Sequence, residues 1–297
     1  MTVSVLLAVH NGERWLAKAL ESVRAQTLQD WELIIVLNGC SDNSEEIATA
    51  EALQDNRIRL VVVKDKGKNN AYNIAYQQSL GDYLCFFACD DVLSADSLEK
   101  RQAPIVAKGP DVFTTCRLQL ISNDPRYDGV VMPRRPEQSN FSGGCLMFSR
   151  SLAEKIFPLP TCYPNEDTWV QLHLRLFGTV FHLPEVLYLY RIHEKNSFGY
   201  KISFEEKRAR FLLRMKCYAD VYERYRGQSA GASFVHDVLE PYVNGVQRCE
   251  QRQLLRIFFV SRLAWSQKFV LAGYCNAGVF WLRTVFGRFL TGRIRQG

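Results

Sequence analysis

The chain lacks any apolar stretch long enough to cross a bilayer. Its longest uncharged run, Phe269 to Leu282, suits a core or interfacial helix and falls short of the roughly 20 residues that a span requires. No basic region precedes its first apolar run, which breaks at Asn11, and such a start is unlike an export signal. Its nine cysteines are an odd number with no C-x-x-C spacing, the usage of reduced thiols in a cytosol. Cys85 and Cys89 have no histidine near them in sequence, so buried small side chains are favoured over a zinc site. Low-complexity tracts and internal repeats are missing too, which argues against disorder. No Asp or Glu follows Glu250.

What is present is a composition able to build a sizeable core, 297 residues at 47% hydrophobic and 12% aromatic. Charge divides along the chain: residues 1–200 hold 20 basic against 24 acidic residues, whereas residues 201–297 hold 17 against 7. The two parts therefore face different partners.

Continuous apolar runs at residues 3–9, 32–37, 58–63 and 83–87 have strand length, the mark of strands buried on both faces and hence of a parallel sheet. Helical patterns separate them at residues 13–26, with Trp15, Leu16, Ala19, Leu20 and Val23 on one face, and at residues 43–53 and 69–80. The alternation predicts a doubly wound α/β fold. Its ligands belong beyond the carboxyl ends of the strands, in the loops His10–Glu13, Asn38–Asn43, Lys64–Asn70 and Ala88–Ser94. Residues 111–150 add strand-like pieces and a polar loop from Ser122 to Asn140. A helix is expected over 165–178 with Asn165 as N-cap, then a strand over 180–190. From about residue 203 the pattern is helical, which sets a domain boundary near residue 200.

The run Phe86-Phe87-Ala88-Cys89-Asp90-Asp91-Val92 ends a buried strand in two carboxylates. Adjacent acids there are costly unless solvated, capping or metal-bound. Oxygen ligands of this kind suit Mg²⁺ or Mn²⁺, which complete their shells with water and substrate phosphates. A competing reading lets Asp91 or Ser94 cap a helix starting near Ala95.

In order and spacing, residues 3–44 with GKNNAYNIA, GDYLCFFACDDV and NEDTWVQLHLRLFG resemble the family 2 glycosyltransferases over about residues 3–198. The resemblance implies a GT-A nucleotide-diphospho-sugar transferase fold over residues 1–200, a nucleotide-diphosphate sugar donor (a UDP-sugar first), a divalent cation and inversion at the anomeric carbon. It places nucleotide-sugar binding at Ala8, His10, Asn38, Lys68 and Asp90, and the metal at Asp90 and His193. The catalytic base falls on Asp167; the secondary candidates are Glu166 beside it and Asp91, which would assist Asp90 through water or by capping. The pattern departs from the family at Leu37 and Ala88, where relatives carry acids. Plainer readings stand beside these roles: His10 or His193 as a structural histidine, Lys68 as a solvated loop lysine, Glu166 and Asp167 as acids that favour a helix N-terminus.

The basic helical region 201–297 mixes arginine with Phe, Leu and Trp, an interfacial composition. At about 100° per residue, Trp281, Leu282, Val285, Phe286, Phe289 and Leu290 make one stripe flanked by Arg283 and Arg288. Contact of these helices with an anionic membrane surface is expected, against a packed subdomain or an oligomer contact. Arg262 interrupts the apolar arc of Leu254, Leu255, Phe258 and Phe259, so the stripe is the stronger membrane candidate. Basic charge without a recognition motif does not point to nucleic acid. The leading expectation is a peripheral enzyme on the cytoplasmic face of a membrane, acting on a lipid-linked or cell-surface glycan in polysaccharide biosynthesis. The rival is a non-catalytic relative that binds a membrane or a partner.

Overall fold

The computed structural model describes residues 1–193, 203–229 and 231–282. The chain divides into two compact units, Met1–Tyr200 and Lys201–Gly297.

In the first unit the apolar runs become strands and the segments between them helices: β1 (Val3–Val9), α1 (Leu16–Arg24), β2 (Trp31–Asn38), α2 (Ser44–Gln54), β3 (Ile58–Val63), α3 (Lys68–Gln78) and β4 (Tyr83–Ala88). β2, β1 and β4 are almost wholly buried, which is why no alternation is visible in their sequences. Each fully buried Leu, Ile or Phe contributes about 1.5–3 kcal/mol relative to exposure, so these strands anchor the unit. The only polar side chain inside β1, Ser4, is satisfied: its hydroxyl donates to Glu32 Oε1 at 2.6 Å and accepts from Gly81 N at 2.9 Å.

The rest of the unit consists of β5 (Val92–Leu93), α4 (Ser97–Lys108), β6 (Val112–Ser122), β7 (Val131–Met132), β8 (Leu146–Ser149), α5 (Arg150–Ile156), α6 (Asp167–Phe177) and β9 (Thr179–Ile192). Sheet order is β3-β2-β1-β4-β8-β6-β9-β5, with β7 against β6. β3, β2, β1 and β4 are parallel. β8 then runs antiparallel between β4 and β6, and the long β9 pairs parallel with β6.

Register positions the site. Ala8 stands opposite both Val36 and Ala88, and Val9 opposite Leu37, so β1, β2 and β4 end along one edge. The chain leaves β1 toward β2 on one side and returns as β4 on the other, which makes this edge a topological switch point.

Several expectations need correction. α1 starts at Leu16, and Trp15 precedes it half-buried, off the core face assigned to it. The helix expected from Asn165 begins at Asp167, with Glu166 at its N-cap and no side-chain cap, because the Glu166 carboxylate is turned to Lys68. Neither Asp91 nor Ser94 caps α4, whose N-cap position is Asp96.

The second unit is helical: α7 (Phe204–Tyr225), α8 (Ala232–Phe234) running through the wider turn Val235–Leu239 into α9 (Glu240–Glu250), then α10 (Leu254–Phe258) and α11 (Trp265–Cys275). Ser203 caps α7 by accepting from Glu206 N at 3.2 Å. Its core gathers Met215, Val246, Cys249, Ile257, Val260, Leu263, Leu271 and Cys275. A Cβ on Gly245 would lie 2.7 Å from Leu271 Cδ1, so this glycine lets α9 and α11 pack closely. Among the described residues no helix is long and apolar enough to cross a membrane. The expected stripe passes beyond Leu282 and so lies mostly outside the described residues.

Candidate functional site

At the edge where β1 and β2 end, His10 Nδ1 donates to the backbone oxygen of Asn38 at 2.8 Å. Asn38 is buried, its Nδ2 donating to Val9 O at 2.7 Å and its Oδ1 accepting from Gly67 N at 3.1 Å. Both ends of the amide are thus engaged by backbone partners in this conformation. It ties β1 and β2 to the turn before α3, because a buried amide takes the nearest backbone partners. The loops beside it are cross-linked: Gly12 N donates to Ser44 Oγ at 2.8 Å, Ser41 N to Asn11 Oδ1 at 2.8 Å and Glu13 N to Asp42 Oδ2 at 3.0 Å. Gly39, at φ 63°, makes the turn out of β2 in a backbone region that favours glycine.

Beyond β4, Asp90 and Asp91 part company. Asp90 remains accessible, with Oδ2 2.9 Å from His193 Nε2. Asp91 is 2% exposed and accepts from the Tyr188 hydroxyl at 2.7 Å and from Arg191 N at 2.8 Å. Burial, then the charge of Asp90, drives its carboxyl well above the usual range against these two donors. Arg191 also donates through Nε to Asp90 O at 2.8 Å, so the end of β9 is stitched to the acidic turn. The Arg191 guanidinium lies 4.1 Å from the Trp15 ring centroid, and that ring is 6.5 Å from His193.

A cavity of about 230 Å³ opens beside this turn, walled by Lys68, Ala88, Gly143, Glu166, Asp167 and Tyr188 among others. Lys68, the first residue of α3, places Nζ 2.9 Å from Glu166 Oε2. Burial works against that ammonium, yet Glu166, Tyr72 and Asp167 outweigh it and hold the lysine well above its ordinary value. Asp167 accepts from Gly143 N at 2.9 Å. Desolvation and the neighbouring Glu166 push its carboxyl up to about 6, opposed by Lys68 and the Gly143 amide. Glycine is required at this approach: a Cβ on Gly143 would fall 2.8 Å from Glu166 Oε1, and one on Gly144 2.3 Å from Tyr188 Cζ.

The structure thus brings Lys68, Glu166, Asp167 and Asp91 around one cavity, pairs Asp90 with His193, pairs His10 with Asn38, and leaves Ala8 at the strand edge between β2 and β4. Sequence reasoning missed Tyr188 as a neighbour of Asp91 and Trp15 as a neighbour of Arg191 and His193. The usable signal for Tyr188 was the Gly143-Gly144 pair, which implies a bulky side chain against it.

The profile described as Glycosyl transferase family 2 matches residues 4–157. Glycosyltransferase GlyG of Streptococcus pneumoniae serotype 4 is 32% identical over 127 residues, 42% of this chain and 40% of GlyG. The chain spans about two thirds or less of the length of the first curated relatives it matches. Residues 1–349 of TarS from S. aureus, solved with UDP-GlcNAc, share the fold at TM-score 0.63 and 16% identity, over 100% of this chain and 93% of that one. The mannosyltransferase PcManGT of Pyrobaculum calidifontis, solved with GDP-Man and Mn²⁺, does so at TM-score 0.59 and 14% identity, over 96% and 87%.

Proposed function

The chain belongs to glycosyl transferase family 2 and has the GT-A type of fold, and on that premise we propose that it moves a sugar from a nucleotide diphosphate, a UDP-sugar first, to a hydroxyl of a lipid-linked or cell-surface glycan, with inversion. The observation that carries this reading is Asp167: a carboxylate fixed by Gly143 N in a cavity, with a pKa raised to about 6. A base tuned near the working pH is what proton removal from an alcohol needs.

In the proposed step Asp167 takes the acceptor hydroxyl's proton while that oxygen bonds to the anomeric carbon. The bond from that carbon to the diphosphate breaks on the opposite face, and the nucleoside diphosphate leaves with the electron pair. Glu166 keeps Lys68 in place beside the base, and Lys68 offers its charge to the departing diphosphate. His10 and Asn38 shape the floor on which the nucleotide would lie, at the edge beyond Ala8.

The donor set fits a divalent cation held largely by substrate. Asp90 and His193 converge, whereas Asp91 is consumed internally and Ala88 supplies no ligand. Among the described residues no group of three such side chains forms a protein-only site. Mg²⁺ and Mn²⁺ characteristically draw further ligands from phosphate and water. Such an ion, when bound, supplies charge neutralisation to the leaving diphosphate. The nucleotide sugars bound to TarS and PcManGT, and the Mn²⁺ of the latter, support the donor class and the cation.

A thermal-shift screen of nucleotide sugars with and without Mn²⁺, followed by donor-turnover assays, tests the proposal. Stabilisation by one donor and release of its nucleoside diphosphate are expected. Absence of both would leave the non-catalytic reading, which the loss of acids at the buried Leu37 and at Ala88 favours. We place the enzyme's work in polysaccharide biosynthesis at the cytoplasmic face of a membrane.

A further inference from the structure

Among the described residues of the second unit most large apolar side chains are buried or half-buried, but four on α10, α11 and the turn between them point outward. Leu255, Phe259, Trp265 and Phe269 are 75%, 86%, 66% and 53% exposed. Leu255 and Phe259 are four residues apart, as are Trp265 and Phe269, so each pair shares a face of its helical stretch. The Trp265 and Phe269 ring centroids are 6.3 Å apart, and Phe258 joins them at 6.2 and 5.6 Å. Phe258, Trp265 and Phe269 make one aromatic cluster, and with the exposed Leu255 and Phe259 on the stretch that carries Phe258 they give this segment an apolar ridge. It is not an unmet core, because the opposite sides of the same segments already bury Ile257, Val260, Leu263 and Leu271.

The segment that carries the ridge holds charges of one sign only, although Glu205 and Asp237 reach it from neighbouring elements. Residues 251–282 contain Arg252, Arg256, Arg262 and Lys268 and no carboxylate. Two of these cations are engaged: Arg252 meets Glu205 at 3.1 Å and Arg262 meets Asp237 at 3.6 Å. Arg256 and Lys268 have no carboxylate within 4 Å among the described residues. Lys268 is held at the ridge itself, donating to Phe258 O at 3.0 Å and lying 4.9 Å from the Trp265 ring centroid.

We propose that this ridge docks on a bilayer with anionic head groups, its aromatic side chains entering the interfacial layer while Arg256 and Lys268 meet lipid phosphates. Trp, Phe and Leu beside cations, with no acid in the segment itself, match the chemistry of that layer. The proposal moves the membrane contact from the stripe beginning at Trp281 to the earlier pair of helices, and it extends the transferase reading without requiring it. With few free cations, apolar burial dominates. Salt shortens the Debye length from about 10 Å at 0.1 M to about 3 Å at 1 M, which removes only the smaller part of the attraction.

The test is flotation of the full chain with vesicles of phosphatidylcholine alone or with phosphatidylglycerol, beside a variant carrying L255S, F259S and W265S. The wild type should float with the anionic vesicles and lose only a few-fold of its binding in 1 M salt. The variant should lose at least about ten-fold at an unchanged Tm, since all three side chains are exposed. Three results would overturn the proposal: a wild type that does not float, a variant that floats equally, or equal flotation with neutral vesicles. A wild-type dimer that the variant converts to monomer would overturn it in favour of a second copy. D167N should float like the wild type, so failure of the membrane reading and failure of the transferase reading register in different assays.

Discussion

In the first unit, ionisable side chains far apart in sequence are drawn together and paired: Lys68 with Glu166, Asp90 with His193, Asp91 with Tyr188. In the second the core is apolar and its anomaly lies outside, in large hydrophobic side chains left in water beside cations. The two arrangements cost free energy for different reasons, desolvated charge in one and hydrated apolar surface in the other. A substrate relieves the first and a docking partner the second. Function is thus expected to be separable between the units.

The most severe test of that separation is Asp167→Asn. Turnover of the nucleotide sugar should fall by about 10² to 10⁴-fold, the usual contribution of a general base, while donor affinity by calorimetry stays near wild type. Equal turnover would remove Asp167 from the chemistry, with Glu166 next in line. Asp90→Asn acts on binding. If donor and Mn²⁺ at 100 times Kd stabilise the wild type by about 2.7 kcal/mol, the variant should lose the Mn²⁺-dependent part of that thermal shift. A full shift in the variant would mean that Asp90 is no ligand.

A pair of glycines sharpens the comparison. Gly144→Ala and Gly245→Ala each force a Cβ into a neighbour, Tyr188 in the first unit and Leu271 in the second. Each should cost about 1–3 kcal/mol by denaturant unfolding. Only Gly144→Ala should also impair turnover, because Tyr188 donates to Asp91 beside the cavity. If Gly245→Ala slows the chemistry equally, the units are coupled.

The smallest effect is in pH. In its proposed role as base Asp167 must be ionised, so turnover should rise with pH through a midpoint near 6. Glu166→Gln removes a negative neighbour and should move that midpoint down; Lys68→Met removes a positive one and should move it up. Shifts in the opposite sense would show that another group sets the acid limb.

The parallel half of the sheet was legible because burial on both faces writes itself as unbroken apolar runs, and register then carries His10, Asn38 and Ala88 to a common edge. The partners of Asn38 were not legible, since nothing local indicates that Val9 O and Gly67 N lie within its reach. Trp15 fits a helical periodicity that the chain does not use, as the helix starts one residue later. β6 and β9 were harder still. Their pairing joins segments about 70 residues apart, and the pairing of β5 with β9 then sets Tyr188 opposite Leu93 and so beside Asp91, contacts that no local pattern encodes. The arc of Leu254, Leu255, Phe258 and Phe259 ranks below the later stripe in sequence because Arg262 interrupts it, and a helix with both an inner and an outer apolar face does not show in sequence which of its apolar residues stay exposed.

The stitch between the acidic turn and the end of β9 also bears on when the site comes into being. Asp90 and His193 are 103 residues apart, and Lys68 and Glu166 are 98 apart, whereas the four parallel strands are complete by Ala88. Chain closure becomes less favourable as the loop grows, and contacts of long sequence separation are slow to form. A nascent chain emerging from the ribosome would therefore form the parallel strands and their common edge well before Asp90 met His193 or Lys68 met Glu166. Such an order of assembly lets the sheet form while the reactive groups are still kept apart.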